Sequence, residues 1–176
     1  AYSLVYYSTD QVGNVESAKH EKFTVDATPP HTRHIVEGEF LGHFLSPRTV
    51  VSLTANDNLS GIASTYFAFD QDEARAYPGK LTGDAFGNLK DGRHELHYFS
   101  HDKVGNIEDV HTFVFWFDKM PPSVEIGIRG TTYIHSDTVF VAAGGSLSRK
   151  AADEALTGET VFFQIDGKAP AILSDA

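Results

Sequence analysis

The stretch "STDQVGNVES" at residues 8–17 returns as "SHDKVGNIED" at residues 100–109. Both keep the pattern Ser-x-Asp-x-Val-Gly-Asn-x-Glu, 92 positions apart. Polar runs of Gly, Asn and Asp punctuate β structure, because Gly reaches conformations closed to other residues and Asp and Asn bond their own backbone. Sliding the chain over itself by 92 also places Tyr6 on Tyr98, Phe23 on Phe115, Asp26 on Asp118 and Pro29-Pro30 on Pro121-Pro122. Residues 6–30 then share 11 identities with their counterparts, without a gap. The chain reads as a tandem repeat.

Beyond the proline pairs the match weakens. Gly38 falls on Gly130 and His43 on His135, but "TYFAFD" (65–70) meets "VFFQID" (161–166) only at an offset of 96. A short insertion is expected, within "GGSLSRKAADEAL" (144–156). The expected organisation is the C-terminal part of a first repeat over 1–28, a complete second repeat over 29–120, and the N-terminal part of a third over 121–176. The opening "AYSLVYYSTD" reads as mid-strand. We therefore expect a piece of a longer protein, whose half-repeats need further chain or another molecule at their sheet edges.

Within each repeat the periodicity is two. Val51, Leu53 and Ala55 alternate with Val50, Ser52 and Thr54; Phe67 and Phe69 share a face, as do His94, Leu96 and Tyr98. Phe113, Phe115 and Phe117 alternate with Thr112, Val114 and Trp116. Such runs of aromatic and β-branched residues, broken by Gly, Asn, Asp and Pro, predict half-buried antiparallel strands. Only "RKAADEAL" (149–156) reads as a helical turn. About 92 residues of short strands per unit predicts an all-β protein of tandem immunoglobulin-like antiparallel β-sandwich repeats.

Composition narrows the partners. The 176 residues carry a formal net charge of −10, which disfavours nucleic acid and anionic membrane surfaces. There is no Cys, hence no disulfide, thiolate metal site or Cys nucleophile. No apolar run approaches the roughly 20 residues that span a bilayer as a helix.

The segments "DATPP", "VSLTANDNLSGIASTYFAFD", "DGRHELHYFSHDKVGNIE" and "FDKMPP" together resemble a group of tandem Ig-like repeats in bacterial surface and secreted proteins. Those repeats carry a D-x-x-SG turn, an aromatic strand, a Y-x-S-x-D-x-x-GN-x-E box and an Asp shortly before Pro. Asp57, Ser60, Gly61, Tyr98, Ser100, Asp102, Gly105, Asn106, Glu108, Asp118 and Pro121 stand at those positions. The resemblance covers nearly the whole chain. It implies a location outside the cytoplasm (extracellular, at the cell surface, or periplasmic and outer-membrane associated). It also implies service as a spacer, an adhesin stalk or an accessory module of a large enzyme. The third repeat departs from the pattern, with a longer loop around Asp153 and Gly158 in place of the turn.

The box itself has two readings. As architecture, Asp10, Gly13 and Asn14 in the first copy and Gly105 in the second build a hairpin turn, and Asp57 and Gly61 build another. As chemistry, Asp102, Asn106, Glu108 and Asp118 are candidate calcium ligands at one pole of the sandwich. The linkers "DATPP" and "DKMPP" favour extended polyproline geometry and hence a stiff connector.

Comparing copies singles out one surface. Outward positions of the paired strands are Val5, Tyr7, Lys22 and Thr24 in the first copy, but His97, Phe99, Val114 and Trp116 in the second. An apolar outward patch with the chain's single Trp is a candidate contact for a protein or a glycan. The nine His residues supply no third ligand of assignable place, and His31 and His34, beside the proline pair, read as surface or packing residues. No catalytic triad, phosphate-binding Gly loop or carboxylate pair across a cleft is assignable. The expected function is a non-catalytic spacer or adhesion segment of an exported bacterial surface protein, with neighbouring repeats, a surface protein or a glycan as partner. The alternatives are a binding module that uses Phe99 and Trp116, and an accessory domain of a large secreted enzyme.

Overall fold

The computed structural model describes residues 1–153, 160–164 and 167–172. Apart from one four-residue helix, the regular structure in these residues is antiparallel β. The chain divides into two compact units: Ala1–Asn88 with Arg93–Trp116, and Leu89–Gly92 with Phe117–Ala176.

The first unit opens on a hairpin of β1 (Tyr2–Tyr6) and β2 (Lys19–Phe23), in which Tyr2 opposes Phe23 and their rings stack 5.3 Å apart. After the first proline pair come β3 (His31–Glu37), β4 (Phe40–Leu41), β5 (Phe44–Leu45), β6 (Val50–Asn56), β7 (Ile62–Phe69) and β8 (Arg75–Ala76). Helix α1 (Gly83–Phe86), β9 (Gly92–Asp102) and β10 (His111–Phe117) follow. Strands β3 and β6 pair as one layer, and the other layer is a six-stranded sheet in the order β4-β5-β10-β9-β7-β8.

The period-two pattern places the core between these layers. Val51 and Leu53 on β6 face in with Phe67 and Phe69 on β7, Leu96 and Tyr98 on β9, and Phe113 and Phe115 on β10, all buried. His34 on β3 stacks on Phe113 at 4.2 Å and bonds the Tyr98 hydroxyl at 2.9 Å, joining the layers directly. Each large apolar side chain so buried contributes about 1.5–3 kcal/mol. Helix α1 adds Phe86, which packs against Phe69 and Phe115.

The second unit contains β11 (Ser123–Arg129), β12 (Thr132–His135), β13 (Thr138–Val141), β14 (Ser146–Ala152), β15 (Phe162–Phe163) and β16 (Ala171–Ile172). Strand β11 pairs with β14, and β12 forms a hairpin with β13. Residues 149–152, expected in a helical turn, extend β14 instead, because Arg149, Lys150, Ala151 and Ala152 pair across to β11. The remaining residues 154–156 of that expected turn, with Gly158 of the expected loop and the last two residues of "VFFQID", lie outside the described residues.

The insertion also moves. Strand β11 sits 92 residues after β3 and β14 sits 96 after β6, with equal lengths in each case. The offset therefore changes before residue 146. The hairpin β12–β13 has four residues per arm where β4–β5 has two, which accounts for the difference. Both hairpins turn on two residues, and the first of each has positive φ: Gly42 at 60° and Ser136 at 55°. His43 thus corresponds to the turn residue Asp137, not to His135.

Candidate functional site

The two boxes fold alike, bond for bond. Asp10 Oδ1 accepts from Val12 N at 3.0 Å and Asn14 N at 2.8 Å, and Asp10 Oδ2 accepts from Asn14 Nδ2 at 2.7 Å. Asp102 Oδ1 accepts from Val104 N and Asn106 N, and Oδ2 from Asn106 Nδ2, at the same three distances. The glycine between takes φ of 91° at Gly13 and 95° at Gly105, a region that strains other residues. Isolated bridges Thr9–Val15 and His101–Ile107 close the two loops at equivalent places.

These bonds hold the carboxylates ionised. Asp10 lies below its ordinary value of 3.8, chiefly through the Asn14 side chain and backbone. Burial pushes Asp102 up, but the Asn106 side chain and the N–H groups of Asn106 and Val104 outweigh it and leave it lowered.

The surroundings of the boxes differ. Asp102 is 1% exposed, whereas the whole first box is exposed. At Asp102 the linker closes over the turn. Asp26 Oδ2 accepts from Ser60 N at 2.8 Å, its carbonyl accepts from Asn106 Nδ2 at 3.2 Å, and its Oδ1 accepts from Thr28 N. Asp57 Oδ2 accepts from Leu59 N and Gly61 N, which forms the D-x-x-SG turn around Gly61 at φ 80°. Asp26 is lowered, first by the Ser60 side chain beside it and then by Thr28 N–H.

One oxygen each of Asp26, Asp57 and Asp102 lies within 4.8 Å of the others, and Asp57 Oδ1 is buried without a hydrogen-bond partner. These three hard donors are the described residues placed to hold a calcium-like ion. Of the residues expected as ligands, Asp102 belongs to this cluster and Asn106 lies in contact with it. Asn106 presents its amide nitrogen to Asp102 and Asp26, Glu108 bonds Ser100, Thr32 and His111, and Asp118 Oδ1 accepts from Met120 N at 3.1 Å.

Glu108 is 7% exposed and saturated with donors. Oε1 accepts from Ser100 N at 2.7 Å and from the Thr32 hydroxyl; Oε2 accepts from Thr32 N at 2.8 Å and lies 3.0 Å from His111 Nε2. Strand β3 is thereby tied to β9 and to the start of β10. In the first copy, Glu16 meets only Lys19 among the described side chains, 3.4 Å away, and both are open to solvent.

The aromatic residues expected as one patch lie on the outer face of the six-stranded sheet, in two separate ring clusters. Trp116 is 39% exposed, with its ring 5.9 Å from Phe44 of β5. Phe99 opposes Tyr66 and stacks on it at 5.4 Å, and Tyr66 also stacks with His101 at 5.5 Å. His97 bonds Thr112 at 3.0 Å, and Val114 is half-buried. Sequence comparison of the copies missed Phe44 and Tyr66. Tyr66 carried a signal, since it sits one position from inward Phe67.

The other histidines separate by environment. His94 pairs with Asp70 at 2.7 Å, and burial holds His34 below its ordinary value, with a further contribution from nearby His111. His31 is not an isolated surface residue: its ring lies edge-on to His111, 5.3 Å away.

Comparison with family models, curated proteins and solved structures found no match. Among the described residues no helix is long and apolar enough to cross a membrane.

Proposed function

We propose that this chain is a non-catalytic spacer segment of an exported bacterial surface protein, built of tandem immunoglobulin-like repeats on short proline joints. The observation that carries it is the duplicated hairpin, with the same three Asp-centred hydrogen bonds at the same distances in both copies. The joint supports it too. Asp26 precedes the proline pair and bonds into both turns of the following sandwich, which suits a stiff connector. Spacing needs stiffness and repetition, and neither requires a reactive group.

Nitrogen-15 relaxation tests this reading. Amides of β1–β2 should tumble as one body with those of β3–β10, and replacing Pro29 and Pro30 by Gly should release them. Fast independent motion of the hairpin in the unaltered chain would remove the spacer reading.

A second reading follows from the outer face. Two partly open aromatic clusters lie on that face, Trp116 with Phe44 and Tyr66 with Phe99 and His101, of the kind that stacks on sugar rings or anchors a protein contact. Glycan-array binding that disappears in Trp116→Ser, in a variant that still melts cooperatively, would favour an adhesion role over spacing alone.

A further inference from the structure

We propose that His31, Glu108 and His111 form a zinc-binding site at the pole of the first unit where the linker enters β3. One donor atom from each of the three lies within 4.8 Å of the others. Zinc takes imidazole nitrogen and carboxylate oxygen at about 2.0–2.2 Å, and tetrahedral placement then sets neighbouring donors about 3.3 Å apart. The 3.0 Å approach of His111 Nε2 to Glu108 Oε2 is close to that edge. Two imidazoles and one carboxylate select a borderline metal such as zinc over calcium, which prefers an all-oxygen shell.

The carboxylate is already oriented. Ser100 N, Thr32 N and the Thr32 hydroxyl fix Glu108, as outer-sphere donors fix the ligands of a built metal site. Thr32 N leaves Oε2 one further direction, now taken by the His111 nitrogen; the metal would sit between the two. His31, exposed at the first position of β3, supplies the second imidazole, and water completes the shell.

The repeat provides an internal control. At the equivalent place the first copy has Glu16 and Lys19, an ion pair with no metal-binding nitrogen available. A zinc ion at the second copy links β3 to the β9–β10 connection, so it clamps the two layers beside the joint.

The test is calorimetric titration of the metal-free chain with zinc chloride at neutral pH, with cobalt(II) absorption as a second readout. One ion per chain should bind, cobalt should give the intense visible bands of a four-coordinate site, and zinc should raise the melting temperature. His31→Gln removes an exposed ligand. His111→Lys copies the first repeat and places an ammonium opposite Glu108. Each should weaken binding at least about 100-fold while the metal-free melt stays cooperative. No binding by the unaltered chain, or undiminished binding in both variants, overturns the proposal.

Discussion

At the scale of single residues, one residue type at one repeat position carries very different weight in the two copies. Glu108 is buried under three donors with the His111 ring beside it; Glu16, among the described residues, makes one exposed ion pair. Replacing Glu108 by Ala strands the Ser100 and Thr32 N–H groups and should cost about 3 kcal/mol in urea unfolding. Glu16→Ala should cost about 0.5 kcal/mol or less. Gly105→Ala forces a side chain into φ 95° and should cost about 1–2 kcal/mol by the same assay. The aspartates set the acid limit. Asp10, Asp26 and Asp102 all have folded values below the ordinary 3.8. The folded state thus binds fewer protons than the unfolded chain near that pH. Their stabilisation is complete above 3.8 and is lost as pH falls through the lower folded values. Urea midpoints measured at successively lower pH should drop in that window, and Asp102→Asn should flatten the drop.

At the scale of elements, the hairpins show how a repeat absorbs length. Four residues entered β12–β13 as two facing pairs, so neither the two-residue turn nor the pairing of β11 with β14 changed. Deleting Tyr133, Ile134, Val139 and Phe140, which are two partner pairs, should leave the melting transition within a few degrees of the parent. A register slip would instead turn every side chain beyond it to the wrong face and broaden the melt. The strand at Arg149–Ala152, where a helical turn was expected, belongs to this scale. Ala, Lys and Arg favour helix only weakly, and seven paired residues along β11 outweigh that preference. Trp116 is also an element-scale case. Its backbone N–H bonds His43 O across to the β4–β5 hairpin, while its ring covers Phe44. Trp116→Ser keeps the backbone bond and should cost about 1 kcal/mol, read from the melt.

At the scale of the molecule, the joint is where units meet function in our reading. Asp26 belongs by sequence to the first repeat but bonds to Ser60 and Asn106 of the second. Asp26→Ala should speed amide exchange at Ser60 while leaving the core amides of β9 protected. Much was legible without coordinates. Period-two runs identified the strands and the inward rows Phe67–Phe69, Leu96–Tyr98 and Phe113–Phe115, because a pleated strand exposes alternate residues to opposite faces whatever its neighbours. The box and its duplication were equally plain, since a turn is made by residues adjacent in sequence. The placement of Glu108 under Thr32, of His31 against His111, and of Asp26 beside Asp57 and Asp102 was not legible. Those groups are separated by about 30 to 80 positions and meet only when two layers pack and a linker folds back. Sequence by itself therefore determined the strands, their faces and the repeated turn, all set by local geometry. The tertiary structure alone decided which charged and metal-binding groups share a site, because long-range packing sets those distances.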